Sequence, residues 1–272
     1  MKTNPTSSPP PDLRIVNIDD VLPHEKSDAQ RSQPLLTRMR HAEYFTNPPV
    51  VGALGNGKYV LMDGANRHSS LKLLDYDHIL IQVVDYDSKF IELGVWQHIV
   101  SDWETDEFLS RLEAIPEIDI RDGWDARAVA QVLLHEGPVY GIHASADNLF
   151  KRNATLRRVV ESYHRHATLY RSPLTDPTQI WSLYPCAIAL VMFPAYQPQD
   201  IVDAATKEAF LPPGVSRHII HGRALKLNYP MCKLREDSSL EEKNQELQRW
   251  LRRKLAERSV RYYAEATYQF DE

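Results

Sequence analysis

Cysteine is scarce: Cys186 and Cys232 are the two in 272 residues, far apart and without a CxxC pair. That excludes a disulfide scaffold and a Cys-based zinc site, and it fits a reduced cytosolic protein. Long apolar runs are missing too. None reaches the roughly 18 residues of a membrane span, so no membrane partner is expected. Basic charge is in deficit, with 32 Lys and Arg against 37 Asp and Glu, a net charge of −5 and a pI near 6.1. A dedicated nucleic-acid binder carries a basic face and a higher pI, which argues against a nucleic-acid partner. The chain shows no internal repeat. Its first stretch, "MKTNPTSSPPPD", has no apolar signal region, and residues 1–12 read as a disordered Pro/Ser-rich tail.

What is present suffices for a folded core. Hydrophobic residues make up 43% and charged residues 25%. The length suits one large or two modest domains. "LRIVNIDDVLPHE" (13–25) alternates as a short strand and then loops. "QPLLTRMRHAEYF" (33–45) has a helical apolar pattern. "NPPVVGAL", "GNG" and "KYVLMDG" read as strand, tight turn and strand. "NRHSSLKLLDYD" reads as a helix with Leu71, Leu73 and Leu74 inward, and "HILIQVVDYD" as a strand buried on both faces.

Residues 88–136 read as mainly helical, through "FIELGVWQHIV", "DEFLSRLEAI" and "DARAVAQVLLHE". Strand character returns at "GPVYGIHA" (137–144). A helix is expected over 156–170, a buried strand over 186–194 and a helix over 199–210. Residues 212–230 read as loop, strand, Gly turn and strand. A long helix is expected over 238–258, opened by Ser239 with Glu242 three residues on, a capping box. "SVRYYAEATYQF" reads as a closing strand. A domain boundary is expected near residue 100.

The densest polar cluster is "VLMDGANRHSS" (60–70). An Asp-Gly ends a buried-looking strand, and a helix follows at once. A helix N-terminus offers unbonded N–H groups and the positive end of its dipole, a ready phosphate site. Arg67 adds a permanent charge with planar donors. Asp63 reaches phosphate through Mg²⁺, a hard cation that takes carboxylate and phosphate oxygens together. A capped strand–helix turn without any ligand would show the same pattern.

This stretch resembles the nucleotide site of the ParB/sulfiredoxin-like fold, and within it the free L-serine kinases. Four segments match in order: "VLPHE" (21–25), "VLMDGANRHSSLKLL", "VWQHIV" (95–100) and "LPPGVSRHIIHGRALKLNYPM" (211–231). Asn66 stands where His is common in the family. Ala65 replaces the cysteine that sulfiredoxin chemistry needs. The paired arginines of ParB proper are reduced to one.

The resemblance implies an α/β (α+β) architecture. Residues 13–100 would form a ParB/sulfiredoxin-like nucleotide-binding domain and 101–272 a second α/β domain completing the substrate site, with the active site in the cleft between them. It implies a cytoplasmic kinase that uses ATP or ADP with Mg²⁺ to phosphorylate free L-serine, giving O-phospho-L-serine for siderophore or amino-acid biosynthesis. Glu25 is implied as the base acting on the serine hydroxyl, with Asp63 as metal ligand and alternative base. Gly64, Asn66, Arg67, His68, Ser69 and Ser70 are implied as the phosphate cradle. Trp96, Ser216, Arg217 and His218 are implied to hold the serine. Without the resemblance, Glu25 reads as a solvated loop carboxylate and Trp96 as a core residue. His221 and Arg223 read as exposed strand positions. The alternative function is a CTP-dependent, ParB-like DNA-binding regulator.

Overall fold

Alternating burial of Leu13 and Ile15 makes a half-buried strand, β1 (Asp12–Asn17). A short 3-10 turn leads to β2 (Val21–Pro23), α1 (Ala29–Arg40), β3 (Tyr44–Phe45), β4 (Val50–Ala53), β5 (Tyr59–Asp63), α2 (Ala65–Leu73), β6 (His78–Val84) and β7 (Ile91–Val95). Then follow β8 (Gln97–Ser101), α3 (Thr105–Glu113), β9 (Ile118–Asp122), β10 (Ala130–Leu134), β11 (Val139–Ala144), α4 (Leu149–His164), β12 (Thr168–Ser172), α5 (Pro177–Leu183), β13 (Ala187–Met192) and α6 (Pro198–Thr206). The chain continues through β14 (Ser216–Ile220), β15 (Tyr229–Pro230), α7 (Met231–Arg235) and α8 (Leu240–Ala256). These elements belong to a computed structural model that describes residues 9–27, 29–145 and 148–263.

The chain divides into two compact units. Unit 1 takes the residues through Leu22, Ser27–Glu92 and those from Ile219 onward, while unit 2 takes Pro23–Lys26 and Leu93–His218. This replaces the single boundary expected near residue 100. The C-terminal segment returns to the N-terminal unit because Tyr229, Leu247 and Trp250 share one apolar core with Ile15, Leu61, Leu71 and Ile79.

Unit 1 is built on a mixed five-stranded sheet, in order β1-β6-β4-β5-β2. Strand β4 pairs antiparallel with β5 and parallel with β6. The expected hairpin and the two-face burial of β6 are both present: Ile79, Leu80 and Ile81 are fully buried. The outer strand β1 is closed off by a side chain of α8. Asn244 accepts from the Ile15 N–H at 2.9 Å and donates to the Ile15 carbonyl at 2.7 Å, doing the work of a missing strand.

Unit 2 is built on a six-stranded sheet, in order β12-β8-β13-β10-β11-β9, and every pairing in it is antiparallel. Phe108, Tyr163 and Leu112 are among its fully buried side chains.

Several expectations fail here for identifiable reasons. "FIELGVWQHIV" and "DARAVAQVLLHE" hold β7, β8 and β10, not helices. β8 and β10 lie inside the six-stranded sheet, and a strand buried on both faces loses the alternation that would mark it. Leu73 is 60% exposed, since it lies about 200° round the helix from Leu71; Tyr76 is buried instead. The helix expected over 156–170 begins at Leu149 and stops at His164, and Thr168–Ser172 is a strand. Residues 259–263 carry no strand, and the rest of that expected element, like most of the N-terminal tail, lies outside the described residues. The Ser239–Glu242 capping box forms as read. Among the described residues no helix is long and apolar enough to cross a membrane.

Replacing Asn244 with Leu removes both partners of a buried strand residue while keeping helix propensity. The expected loss is about 1–3 kcal/mol, the cost of leaving buried backbone groups unpaired. Urea unfolding checks it, and an unchanged midpoint would remove Asn244 from the closure of β1.

Candidate functional site

The candidate residues form one cluster in each unit. In unit 1, Asp63 is the last residue of β5 and Ala65 the first of α2. Gly64 joins them at φ +101, and a Cβ there would come within 2.9 Å of Pro49 Cβ, so both backbone and space demand glycine. The N-cap therefore has no side chain, and the first amides and positive dipole end of α2 stand directly after Asp63.

Two guanidinium groups meet Asp63. Arg67 donates to its Oδ2 at 2.7 Å, and Arg223 donates to the same oxygen. Burial opposes the charge, but the two arginines outweigh it and hold Asp63 below the usual carboxylate range. Oδ1 is left outside these contacts. Arg223 is carried on a segment clamped by the buried Gln82 of β6. Gln82 donates to the Gly222 carbonyl at 3.1 Å and accepts from the Ala224 N–H at 2.8 Å.

The expected phosphate cradle contracts. His68 is 4% exposed, and its Nε2 lies 3.1 Å from the Ile18 carbonyl. Ser70 is fully buried. Both lie on the core face of α2, so their side chains are structural. Asn66, Arg67 and Ser69 stay partly exposed.

In unit 2, Glu25 is no solvated loop carboxylate. Its Oε2 accepts the Gly214 N–H at 2.9 Å, and its backbone bridges in parallel to Leu211. Beside it, His24 Nε2 lies 2.6 Å from the Ser216 hydroxyl, and the His218 ring meets the His24 ring edge-on. Trp96 is half-buried in the extended link between β7 and β8, held by its N–H to the Val215 carbonyl at 2.8 Å. The Arg217 guanidinium lies 4.4 Å from the Trp96 ring centroid. Stacking of this kind occupies the face of a guanidinium and leaves its in-plane donors available for a carboxylate.

Gly214 itself is fixed from three sides. It sits at φ +72, and a Cβ would run into the Arg171 guanidinium. Arg171 also donates to the Pro213 carbonyl at 3.3 Å. His98, fully buried, places Nε2 3.2 Å from the Gly214 carbonyl and Nδ1 2.9 Å from the Tyr163 hydroxyl. These partners assign the proton to Nε2, with Tyr163 donating to Nδ1. Burial, then the Arg171 charge, drives the His98 pKa down to about 3.

Solved structures share this architecture. SbnI with a C-terminal truncation, from Staphylococcus aureus, superposes with a TM-score of 0.71 at 22% identity, over 91% of this chain and 97% of that one. A free serine kinase in complex with AMP gives 0.73 at 14% identity, over 84% and 95%. No family model matches the chain. By sequence it is 25% identical over 264 residues to the ATP-dependent L-serine kinase SbnI of Staphylococcus aureus, spanning 94% of this chain and 96% of the relative. The chain is similar over nearly its whole length to a free L-serine kinase. An ATP-dependent L-serine kinase of Staphylothermus marinus is 28% identical over 83 residues, 30% of this chain and 33% of its own.

Against the family expectation, His24, His98, Arg171 and Arg223 are additions that sequence reading missed or set aside. Arg223 carried one usable signal: a carboxylate ending a buried strand needs cations, and "HGR" offers one on a Gly turn. His98 follows Trp96 too closely for a helical reading to give it a role, and β8 changes that geometry.

The buried histidines make stability depend on pH. His68 and His98 both titrate lower in the fold than their ordinary 6.5, so the unfolded chain binds more protons in that range. The stability they confer is complete above about 6.5 and falls as pH drops toward 3. Urea midpoints should decline from pH 7 to pH 5, and His98→Gln should flatten the decline. An equal slope in that variant would contradict the assignment.

Proposed function

We propose that this protein is a kinase that transfers the terminal phosphoryl group of ATP to the hydroxyl of free L-serine, giving O-phospho-L-serine in the cytoplasm. The observation that carries the reading is Glu25: a carboxylate fixed by the Gly214 N–H, in the unit that also holds Ser216, Arg217 and Trp96. ATP is the donor named for both relatives compared by sequence. Phosphorylation turns the serine oxygen into a good leaving group, which suits a product consumed by replacement at Cβ in siderophore or amino-acid assembly.

The chemistry follows from the groups present. Phosphoryl transfer asks mainly for positioning and charge stabilisation. Unit 1 supplies the nucleotide-binding groups: the α2 N-terminus with Asn66 and Ser69, and the Arg67 and Arg223 charges. Asp63 fits a magnesium ion, since it is ionised, offers Oδ1 and is a hard ligand. Among the described residues no group of three or more His, Cys, Asp or Glu forms a metal cage; Mg²⁺ is ordinarily held by one or two carboxylates together with phosphates and water. When bound, it supplies neutralisation of the phosphate charge.

Unit 2 supplies the serine-binding groups. Arg217, stacked on Trp96, pairs in its plane with the serine carboxylate. Glu25 orients the serine hydroxyl and takes its proton as the O–P bond forms. A serine hydroxyl does not ionise near neutral pH by itself, so a fixed acceptor is needed late in transfer.

Two variants test the assignment. Asp63→Asn should abolish the dependence of nucleotide affinity on Mg²⁺ in calorimetry, and most turnover with it; an intact Mg²⁺ dependence would move the metal elsewhere. Glu25→Gln keeps an oxygen for the Gly214 N–H but cannot take a proton. Its kcat should fall by roughly 10²–10⁴-fold, the share of a general base, with serine and nucleotide affinity kept. Phosphorus NMR of protein, Mg-ATP and L-serine reads both the product and the rate. Unchanged kcat in Glu25→Gln would discard the base.

A further inference from the structure

Glu25 is held by a stretch that has no ladder of its own. Residues 209–214 form neither helix nor strand, apart from the single bridge between Leu211 and Glu25. Ala209 and Leu211 are nonetheless buried. The carbonyls of a buried loop must be met by some donor, and the groups that meet them fix where the loop lies. Here side chains do so. Asn153 donates to the Ala209 carbonyl at 2.5 Å, and Arg157 donates to that of Phe210. The Gly214 carbonyl accepts from His98 Nε2 at 3.2 Å, and the Tyr163 hydroxyl meets the other nitrogen of that ring at 2.9 Å.

Asn153, Arg157 and Tyr163 all belong to α4. That helix is firmly seated. Leu156, Val159 and Val160 are buried, and Asn148 caps its first turn by accepting the Lys151 N–H at 2.9 Å. The stretch it supports grips Glu25 in three places. Leu211 donates its N–H to the His24 carbonyl at 2.8 Å and accepts from the Lys26 N–H at 3.3 Å, so the backbone is held on either side of Glu25. The Gly214 N–H holds the side chain at 2.9 Å.

We propose that α4 aims Glu25. Asn153 and Arg157 are positioning residues that act through Leu211, and Tyr163 is one that acts through His98 and Gly214. This rests on the reading of Glu25 as proton acceptor. Such a group works within hydrogen-bond reach of the hydroxyl, and a misplacement near 1 Å costs up to about a hundredfold in rate. Loss of one α4 donor leaves a buried carbonyl unpaired, and the stretch moves to find another partner. Arg217 lies on β14, which pairs with β7, so the proposed serine clamp is anchored apart from α4.

Arg157→Met and Tyr163→Phe test this, with kcat and KM measured per folded protein on Mg-ATP and L-serine. Each should lower kcat by about tenfold to a hundredfold and leave both KM values within about twofold. Arg157 is half-buried, so its variant keeps the test open should Tyr163→Phe fold poorly. Arg157→Lys, which keeps a cationic donor, should restore most of the rate. Added to Glu25→Gln, the same changes should cost little more, because the group they aim is already disabled; a merely structural role would multiply through. Amide hydrogen exchange gives a readout that needs no kinase reaction. The Lys26 and Leu211 amides should exchange at least about tenfold faster in Arg157→Met, and the Gly214 amide in Tyr163→Phe, with the amides of β10 and β13 unchanged. Parent-like kcat in both variants overturns the proposal, as does a loss that multiplies undiminished with Glu25→Gln. Parent-like exchange at all three amides overturns the hold of α4 on this stretch. Faster exchange in a protein whose parent yields no phosphoserine overturns the kinase reading and keeps the hold.

Discussion

One peptide group governs unit 2. The N–H of Gly214 holds Glu25 and its carbonyl faces His98. Both bonds require the left-handed backbone that glycine alone adopts cheaply at this position. Behind it, Tyr163 sets the tautomer of His98. Arg171 packs where a side chain would stand and holds the preceding carbonyl. The carboxylate is therefore aimed by a chain of fixed groups, and aim of this kind is what the proposed role of Glu25 as proton acceptor needs. His98, whose pKa is about 3, stays neutral across the working range and cannot reverse its donor.

Unit 1 solves a different problem. A carboxylate beside the proposed phosphate site would invite repulsion, and Asp63 is matched twice. Arg67 comes from the first turn of α2 and Arg223 from a turn more than a hundred residues later. Together they keep Asp63 ionised while adding positive charge to the same neighbourhood. Gln82 is the buried fixture for the second arginine. It is a polar residue inside a central strand whose two amide atoms are both matched, so it specifies one position for the segment without a desolvation penalty left over.

The sequence was informative where the deciding interactions are local. The Gly64 turn, the hairpin before it and the α8 capping box each lie within a few residues, and each formed as expected. The six-stranded sheet was half hidden. β8 and β10 are covered on both faces, and a continuous apolar run of that length has no period to read. His68 and Ser70 were misplaced because motif reading treats a helical turn as one surface, whereas two of its positions must face the core. Glu25 and Gly214 meet across 189 positions, and Arg223 meets Asp63 across 160. No window-based pattern reports such pairs. Glu25 was proposed through family resemblance and Arg223 was not.

The split of unit 1 bears on how the chain is made. The outer strand β1 lies near the start, and its closing residue Asn244 is 229 positions away. During synthesis the whole of Leu93–His218 must emerge before the last segments of unit 1 do. For that interval β1 has an open edge, the kind of surface on which nascent strands join one another. Unit 2 draws on Pro23–Lys26, already made, and has every segment it needs once His218 is out. The ribosome therefore sets an order of assembly: the inserted unit can mature first, and the unit that begins the chain is finished last.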